Sequence, residues 1–188
     1  GKLAERGAST ILNEIAQLEK LLSEFSSFAR FPSPHPVAAD FNATVRASVD
    51  AFRDKARDVR WVERYADGLP PALIDTGMFS EVLRNLILNA IEAMVPAGRV
   101  IHIETSKENG QAVLTFADSG PGVPADKRAT LFTPYFTTKS GGTGLGLAVS
   151  RKIMIEHGGD LFLLDQSPFS DTPGAAFRAK LPLAPVTA

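Results

Sequence analysis

The spacing of apolar residues predicts a long helix at the start of the chain. Apolar positions recur every three or four residues across residues 3–31, a segment without proline, and polar residues fill most of the gaps. This is the a/d spacing of a coiled coil, so the stripe needs a partner helix, unless it packs on its own domain as an ordinary amphipathic helix. The stripe consists of Ile11, Ile15, Leu18, Leu22, Phe25 and Ala29. The proline-rich residues 32–36 then form a semi-rigid linker.

Residues 37–188 have the mixed pattern of an α+β domain. Helical spacing predicts helices over 43–56, 78–94, 125–132 and 145–157. Thr76 is the expected N-cap of the second helix, and Gly158-Gly159 is the expected C-cap of the last. Strand patterns cover 59–65, 72–74, 100–105, 111–117, 161–164 and 175–181, with a hairpin turn at Asn109-Gly110. We therefore expect a two-layer α/β sandwich, with a mixed sheet and helices on one face, preceded by the long helix.

Composition narrows the classes of function. The 188 residues, 44% of them hydrophobic, can fill one domain plus an appendage, and the formal net charge of −1 creates no basic field to recruit nucleic acid. The absence of cysteine excludes disulfides and thiolate metal sites. No apolar run approaches the roughly 20 residues of a membrane span. Because the chain begins with Gly1, we expect further sequence upstream. We expect a cytoplasmic domain and leave open whether the full-length protein is anchored in the inner membrane.

Two asparagines interrupt the apolar face of the predicted helix 78–94. Asn85 and Asn89 lie four residues apart, so both point to the same side of the helix. Asparagine is a poor helix former and is costly to bury without hydrogen bonds. Its amide oxygen is a hard ligand that suits Mg²⁺. Two asparagines at this spacing also occur as caps or surface hydrogen-bonding groups, so the pair alone leaves both interpretations open.

An acidic residue follows the predicted strand 111–117. Asp118 begins the sequence Asp-Ser-Gly-Pro-Gly, in which Gly120 and Gly122 would let the backbone approach a flat ring. A carboxylate here can accept a hydrogen bond from an exocyclic amine such as that of adenine. A simple turn with an Asx cap is the alternative interpretation.

A glycine-rich loop precedes the last predicted helix. Residues 140–147 read Ser-Gly-Gly-Thr-Gly-Leu-Gly-Leu, and glycines that open a helix expose N–H groups beside the positive end of its dipole. The spacing fits neither a Walker loop nor a dinucleotide fingerprint, so we predict a phosphate site of another kind. The preceding residues 132–139 contain aromatic and hydroxyl side chains and end in Lys139, which indicates a hinged cover. Lys139 is either a contact for a terminal phosphate or a solvated surface charge.

The order of these four motifs resembles that of the Bergerat-fold ATPases. Within that superfamily, the sequence Thr-Pro-Tyr-Phe-Thr-Thr-Lys at 133–139 and the sequence His-Gly-Gly at 157–159 resemble sensor histidine kinases, especially those of the nitrogen-regulation type. The resemblance covers roughly residues 37–183, and residues 24–30 also resemble the second helix of a dimerisation hairpin. It implies that 1–31 is part of that hairpin, that 32–36 is a linker and that 37–188 is an ATP-binding catalytic domain.

The resemblance also implies roles for individual residues, with ATP and Mg²⁺ as cofactors. Asn89 would hold Mg²⁺ between the phosphates, Asn85 and Lys139 would be catalytic at the phosphate end, and Asp118 would receive the adenine amine. Nucleotide contacts are implied for Asn85, Asn89, Asp118, Gly120, Gly122, Thr138, Lys139, Gly142, Thr143, Gly144, Leu145 and Gly146.

The resemblance implies transfer of the γ-phosphoryl group of ATP to a histidine, for relay to the receiver domain of a response regulator. ATP-hydrolysing relatives typically have a glutamate where this chain has Asn85, which cannot take a proton at neutral pH. The partners that the resemblance implies are nucleotide, a receiver domain and a second copy of the protein bound through the N-terminal helix. It implies no nucleic acid.

None of the three histidines fits the role of phosphoryl acceptor. His35 lies between two prolines, His102 is expected on the outer face of a strand, and His157 lies at the end of a helix. We therefore expect that the fragment begins after the acceptor helix and binds nucleotide without phosphorylating itself. A nucleotide-dependent switch or scaffold without transfer activity, and a hydrolytic ATPase of the Bergerat type, are the alternative functions.

Overall fold

The computed structural model describes residues 33–95, 98–137 and 142–185, together with Ile11 and Ile15. The two isoleucines are helical and exposed, at 60% and 46%. The rest of the predicted helix 3–31 lies outside the described residues, so that helix and its coiled-coil stripe remain predictions. No helix in the described ranges is both long and apolar enough to cross a membrane.

The described residues form seven strands and four helices. The strands are β1 (Val37–Ala39), β2 (Arg60–Arg64), β3 (Ala72–Ile74), β4 (Val100–Glu108), β5 (Gln111–Asp118), β6 (Asp160–Leu163) and β7 (Ala176–Pro182). The helices are α1 (Phe41–Arg53), α2 (Thr76–Ala93), α3 (Ala125–Arg128) and α4 (Gly146–Glu156). Five strands form one sheet in the order β2-β4-β5-β7-β6, and β1 pairs with β3 in a separate two-stranded sheet. Only β2 and β4 pair in parallel in the large sheet, which confirms the predicted mixed sheet.

The core lies between one face of the large sheet and the helices α1, α2 and α4. Alternate residues of β4 and β5, such as Ile101, Ile103 and Phe116, are buried against apolar side chains of the helices, including Phe79 and Leu86 of α2. Burial of each such side chain stabilises the fold by about 1.5–3 kcal/mol. The period of two in the strands and of 3.6 in the helices thus produces the predicted two-layer arrangement.

Several elements differ from the sequence prediction. The strand β1 was not predicted, because its three residues show no alternation and its partner β3 is equally short. The N-cap of α2 is Asp75, so the assignment to Thr76 is wrong. The side chain of Asp75 accepts hydrogen bonds from the backbone N–H groups of Gly77 and Met78, at 3.1 and 3.2 Å. Finally, α3 ends at Arg128, four residues earlier than predicted.

The segment between β6 and β7 covers part of the sheet face that lies opposite the helices. His102 is on this face, as predicted, but it is only 3% exposed because its ring stacks on Phe169 with a centroid distance of 3.5 Å. Burial lowers the pKa of His102, although the nearby Asp171 acts in the opposite direction. His102 therefore belongs to the packing of this face and is inaccessible to a phosphoryl donor.

Candidate functional site

A pocket of about 560 Å³ lies between α2, α4 and the loops that follow β5 and α3. Its volume falls in the range of roughly 300–1,000 Å³ that is common for small-molecule sites. All four sequence motifs contribute to its lining. The implied nucleotide-contacting residues that line it are Asn85, Asn89, Asp118, Gly122, Gly142, Thr143, Gly144, Leu145 and Gly146.

The described lining includes nine of the twelve residues of the predicted site. Thr138 and Lys139 lie outside the described residues, so their roles remain predictions. Gly120 is not among the residues that line the pocket. Its N–H instead donates a hydrogen bond to Oδ1 of Asp118 at 2.8 Å, so Gly120 helps to orient the carboxylate of Asp118.

Asp118 ends strand β5 and is only 3% exposed. Its Oδ1 accepts hydrogen bonds from the backbone N–H groups of Gly120 and Ala175, at 2.8 and 3.3 Å. Backbone donors stabilise a buried carboxylate and fix its orientation. A carboxylate that is held in this way at the wall of a pocket can accept a further hydrogen bond from an amine on a ligand.

Gly174, which belongs to none of the four sequence motifs, packs directly against Asp118. Its N–H donates to the carbonyl oxygen of Asp118 at 2.9 Å. A Cβ atom at Gly174 would lie 2.4 Å from Oδ1 of Asp118 and 2.7 Å from the backbone nitrogen of Gly120. Only glycine therefore fits here. The contact between Gly174 and Asp118 could not be predicted, because the two residues are far apart in the sequence.

The asparagine pair lies on the side of α2 that faces the pocket. Asn85 and Ala93 both lie in the lined stretch of the helix, eight residues apart, which is a distance of about 12 Å at 1.5 Å per residue. Ala93 is next to the Asp118 loop, since a Cβ on Gly120 would lie 3.5 Å from it. The acidic group and Asn85 therefore lie well apart along the pocket.

Asn85 also contacts helix α4 directly. Its Nδ2 donates to the carbonyl oxygen of Gly146 at 3.3 Å and to Oγ of Ser150 at 3.2 Å. Ser150 is completely buried, and its hydroxyl donates to the same carbonyl of Gly146 at 2.8 Å. The amide is thus held against the first turn of α4. The sequence analysis did not include Ser150, because its position on the helix carries no motif.

The glycine-rich loop leads into α4, which begins at Gly146 without a side-chain cap. The first N–H groups of a helix have no partner within the helix and favour an anion. Gly144 has a φ of +68°, and a Cβ there would lie 2.5 Å from the backbone of Tyr135. The N–H of Tyr135 donates to the carbonyl oxygen of Gly144 at 3.0 Å. This close approach places Tyr135 and Phe136 beside the glycine loop, while the hinged cover itself stays a prediction.

Charged side chains also line the pocket. Arg84 forms an ion pair with Glu81 one helical turn earlier, with an Nε–Oε2 distance of 2.8 Å. Lys127 lies in the lining near Phe136. Glu81, Glu92 and Asp118 also line the pocket, so the acidic side chains of the described lining outnumber the two basic ones.

The amide oxygens of the asparagine pair are candidate ligands for a divalent cation. Within the described ranges, no group of three or more His, Cys, Asp or Glu side chains is arranged to hold a metal ion. Mg²⁺ nevertheless accepts a small number of protein oxygens, because it keeps several waters and shares substrate phosphates. Asn89 lines the pocket one turn after Asn85, so its donor type and its position both suit that kind of site.

The start of α2 and the end of α4 are joined by Asp75 and His157. The backbone N–H of Asp75 donates to Nε2 of His157 at 2.9 Å, and Nδ1 of His157 bonds to the carbonyl oxygen of Ile153 at 2.8 Å. Burial tends to raise the pKa of the Asp75 carboxyl, but backbone N–H groups of His35, Met78 and Gly77 outweigh this and lower it. The two helices that carry the asparagines and the glycine loop are thereby fixed to each other.

Comparison with known proteins agrees with this arrangement. Residues 74–185 match the model of the histidine kinase-, DNA gyrase B- and HSP90-like ATPases. Nitrogen regulation protein NtrY of Azorhizobium caulinodans is 34% identical over 171 residues, which cover 87% of this chain and 22% of NtrY. Sensor histidine kinase ZraS of Escherichia coli K12 is 33% identical over 185 residues, or 97% of this chain and 39% of ZraS. The chain thus spans well under half the length of these relatives.

Solved structures give the same result. The catalytic domain of histidine kinase ThkA superposes with a TM-score of 0.70 and 28% identity, covering 79% of this chain and 96% of that domain. ThkA in complex with the response regulator protein TrrA gives a TM-score of 0.76 at 25% identity, covering 95% of this chain and 51% of the ThkA chain. The chain therefore belongs to the histidine kinase-, DNA gyrase B- and HSP90-like ATPase family, and its relatives named above are sensor histidine kinases or nitrogen-regulation proteins.

Proposed function

We propose that this chain is the ATP-binding catalytic domain of a sensor histidine kinase. In this proposal it binds ATP with Mg²⁺ and transfers the γ-phosphoryl group to a histidine located upstream, for relay to a response regulator. The observation that carries the proposal is the single pocket onto which Asp118, the asparagine pair and the glycine loop all open. The division into 1–31, 32–36 and 37–188 belongs to the same proposal.

The end of the pocket next to Asp118 suits a purine base. The carboxylate is an acceptor that two backbone N–H groups orient, and the neighbouring wall is apolar, with Val123, Ala175 and Phe177. An adenine ring presents an exocyclic amine as donor and two apolar faces. A buried acceptor that is part of an apolar wall therefore selects for this combination of groups.

The part of the pocket around Asn85 suits a polyphosphate. It combines the uncapped start of α4, the amide oxygens of the asparagine pair and the cationic side chain of Arg84. Asn89 is the residue that we propose as a ligand of Mg²⁺, which would bridge phosphate oxygens and neutralise their charge. Lys139 and Thr138 would complete this part of the pocket, as the sequence predicts.

Asn85 favours phosphoryl transfer over hydrolysis. A water nucleophile needs a base near the γ-phosphate, and a carboxamide cannot accept a proton at neutral pH. Nδ2 of Asn85 moreover faces two acceptors on α4, so this residue is engaged as a hydrogen-bond donor. Positioning and charge neutralisation, which dominate phosphoryl transfer, remain available to the site.

The partners follow from the same assignment. ThkA has been solved in complex with the response regulator protein TrrA, and this chain superposes on ThkA over 95% of its length. We therefore propose that a receiver domain takes the phosphoryl group from that upstream histidine. We also propose that a second copy of the protein is the partner of residues 1–31. ATP as the phosphoryl donor implies that this domain functions in the cytoplasm.

Replacement of Asp118 tests the nucleotide site. The N–H groups of Gly120 and Ala175 require an oxygen at the position of Oδ1, so Asp118→Asn would turn its amide nitrogen towards the ligand. We expect this donor to oppose the adenine amine and to weaken binding at least about 10-fold in calorimetric titration with Mg²⁺ and ATP. Asp50→Asn on α1, which changes an exposed carboxylate paired with Arg53, is the matched control. Equal affinities of the two variants would contradict the proposal.

Transfer is tested in a protein that includes the upstream sequence. Labelled γ-phosphate should appear on that protein with ATP and Mg²⁺, and the label should be acid-labile, as expected of phosphohistidine. Rapid steady-state release of phosphate from ATP by residues 1–188 alone, without label on the protein, would instead support the hydrolytic alternative.

A further inference from the structure

We propose that Ser150 is a positioning residue of the nucleotide site, which fixes the end of the Asn85 carboxamide that faces the pocket. The inference rests on the proposed function, because it assigns a role within the same pocket. It concerns a side chain that does not itself line the pocket.

Ser150 has only one way to satisfy its hydroxyl proton. The side chain is completely buried in α4, and its Oγ lies 2.8 Å from the carbonyl oxygen of Gly146. A carbonyl oxygen can only accept, so the hydroxyl proton of Ser150 is directed at Gly146. The lone pairs of Oγ then remain as acceptors towards Asn85.

This arrangement dictates the orientation of the amide. Oγ of Ser150 and the carbonyl oxygen of Gly146 both act as acceptors and both lie within 3.3 Å of the same end of the Asn85 carboxamide. An amide oxygen turned to that side would face two oxygen lone pairs without a proton between them. The nitrogen of Asn85 must therefore face α4, and this leaves the amide oxygen for the pocket.

The orientation has a chemical consequence at the phosphate end. An amide oxygen cannot form a hydrogen bond with an ionised phosphate oxygen, because neither carries a proton. It can contact a polyphosphate only through a bridging cation or a bridging water. We therefore infer that Asn85 acts on the hydrated metal through its oxygen, and that Ser150 maintains this oxygen in place.

Ser48 provides a matched control for Ser150. It is also a buried helical serine whose hydroxyl donates to the carbonyl four residues earlier, that of Thr44, at 3.0 Å. It also contacts a second polar side chain, with Oγ of Ser80 at 3.1 Å. Ser48 lies on α1 and does not line the pocket. Both serine-to-alanine changes remove the same atom, but only one of them affects Asn85.

The experiment is a calorimetric titration with the ATP analogue AMPPNP, with and without Mg²⁺. We expect Ser150→Ala to weaken binding about 3- to 10-fold with Mg²⁺ and less than about 2-fold without it. Ser48→Ala should change neither affinity. In an Asn85→Ala background, Ser150→Ala should have no further effect, because the group that it positions is absent. Melting temperatures of all variants check that each is folded.

The outcomes separate the inference from the proposed function. If Asp118→Asn leaves the affinity unchanged, the nucleotide site itself is wrongly assigned. If Asp118→Asn weakens binding but Ser150→Ala behaves like Ser48→Ala, only the role of Ser150 is wrong. The role is equally wrong if the loss caused by Ser150→Ala is the same without Mg²⁺, or persists in full after Asn85→Ala.

Discussion

At the scale of single residues, the orientation of Asp118 depends on a glycine in a distant part of the chain. The backbone of Gly174 approaches Oδ1 so closely that a methyl group there would lie 2.4 Å from it. The lack of a side chain at Gly174 is therefore as important for the site as the carboxylate of Asp118. The carboxylate cannot move into the space of Gly174 or lose its N–H donors without changing the wall of the pocket.

We predict that Gly174→Ala weakens nucleotide binding at least about 10-fold and lowers the free energy of unfolding by about 1–3 kcal/mol, as overpacking typically does. The physical reason is displacement of the Asp118 carboxylate from its backbone donors. Titration with Mg²⁺ and ATP, together with urea unfolding, measures both effects.

Gly77→Ala is the control for this prediction. A Cβ at Gly77 would also lie next to an aspartate Oδ1, that of Asp75, but at an ordinary distance of 3.5 Å. This change should leave nucleotide affinity unaltered and stabilise α2 by up to about 1 kcal/mol. A Gly174→Ala variant with normal affinity would show that the carboxylate tolerates displacement.

The site residues that could not be predicted are those whose partners lie far away in the sequence. Asn85, Asn89 and Asp118 were identified because each belongs to a local pattern that conflicts with its surroundings. Ser150 and Ala175 have no such pattern, and their partners are 65 and 57 residues away. Their roles arise from tertiary contacts, which periodicity and turn chemistry do not encode.

At the scale of secondary-structure elements, the site depends on the relative position of α2 and α4. His157 connects them, since its Nε2 accepts the N–H of Asp75 at the start of α2 while its Nδ1 bonds within α4. This requires the neutral imidazole with its proton on Nδ1. Helix α4 ends at Glu156 with His157 as its C-cap, so the predicted C-cap at Gly158-Gly159 is placed too late; Gly158, with a φ of +74°, is the residue after the cap.

We predict that His157→Leu lowers the free energy of unfolding by about 1–3 kcal/mol, because it leaves the N–H of Asp75 without an acceptor. Chemical denaturation measures the change. His35→Ala is the control, since His35 contacts Asp75 only through its backbone N–H and should change stability by less than about 0.5 kcal/mol. Equal effects of the two changes would show that the bond between the helices is unimportant.

Most elements could be predicted because hydrophobic periodicity is strong where one face is buried. Strands β4 and β5 and the Asn109-Gly110 turn follow directly from that pattern, and both turn residues have positive φ values of 49° and 76°. The end of β4 was placed too early, at 105, because Ser106–Glu108 are polar and stay in the strand only by pairing with 111–113. The cap of α2 was misassigned because Asp75 and Thr76 are adjacent and both can cap a helix.

At the scale of the whole molecule, the pocket is assembled from segments along most of the described sequence, from Glu81 on α2 to Phe177 on β7. Its lining includes core residues such as Leu145 and Phe177, so the pocket wall and the core are continuous. A ligand that binds there stabilises the native arrangement of all these segments and has no comparable site in the unfolded chain. Nucleotide affinity and global stability should therefore be linked.

We predict that Mg²⁺ with AMPPNP at 100 times its Kd stabilises the protein by about 2.7 kcal/mol and raises Tm by roughly 5–10 °C. Differential scanning calorimetry measures the shift. The increase should be largely lost in Asp118→Asn at the same ligand concentration and retained in Asp50→Asn, because only the former alters the pocket. The same shift in all three proteins would mean that the ligand stabilises the fold from a site other than this pocket, and the linkage between the core and the proposed nucleotide site would then be wrong.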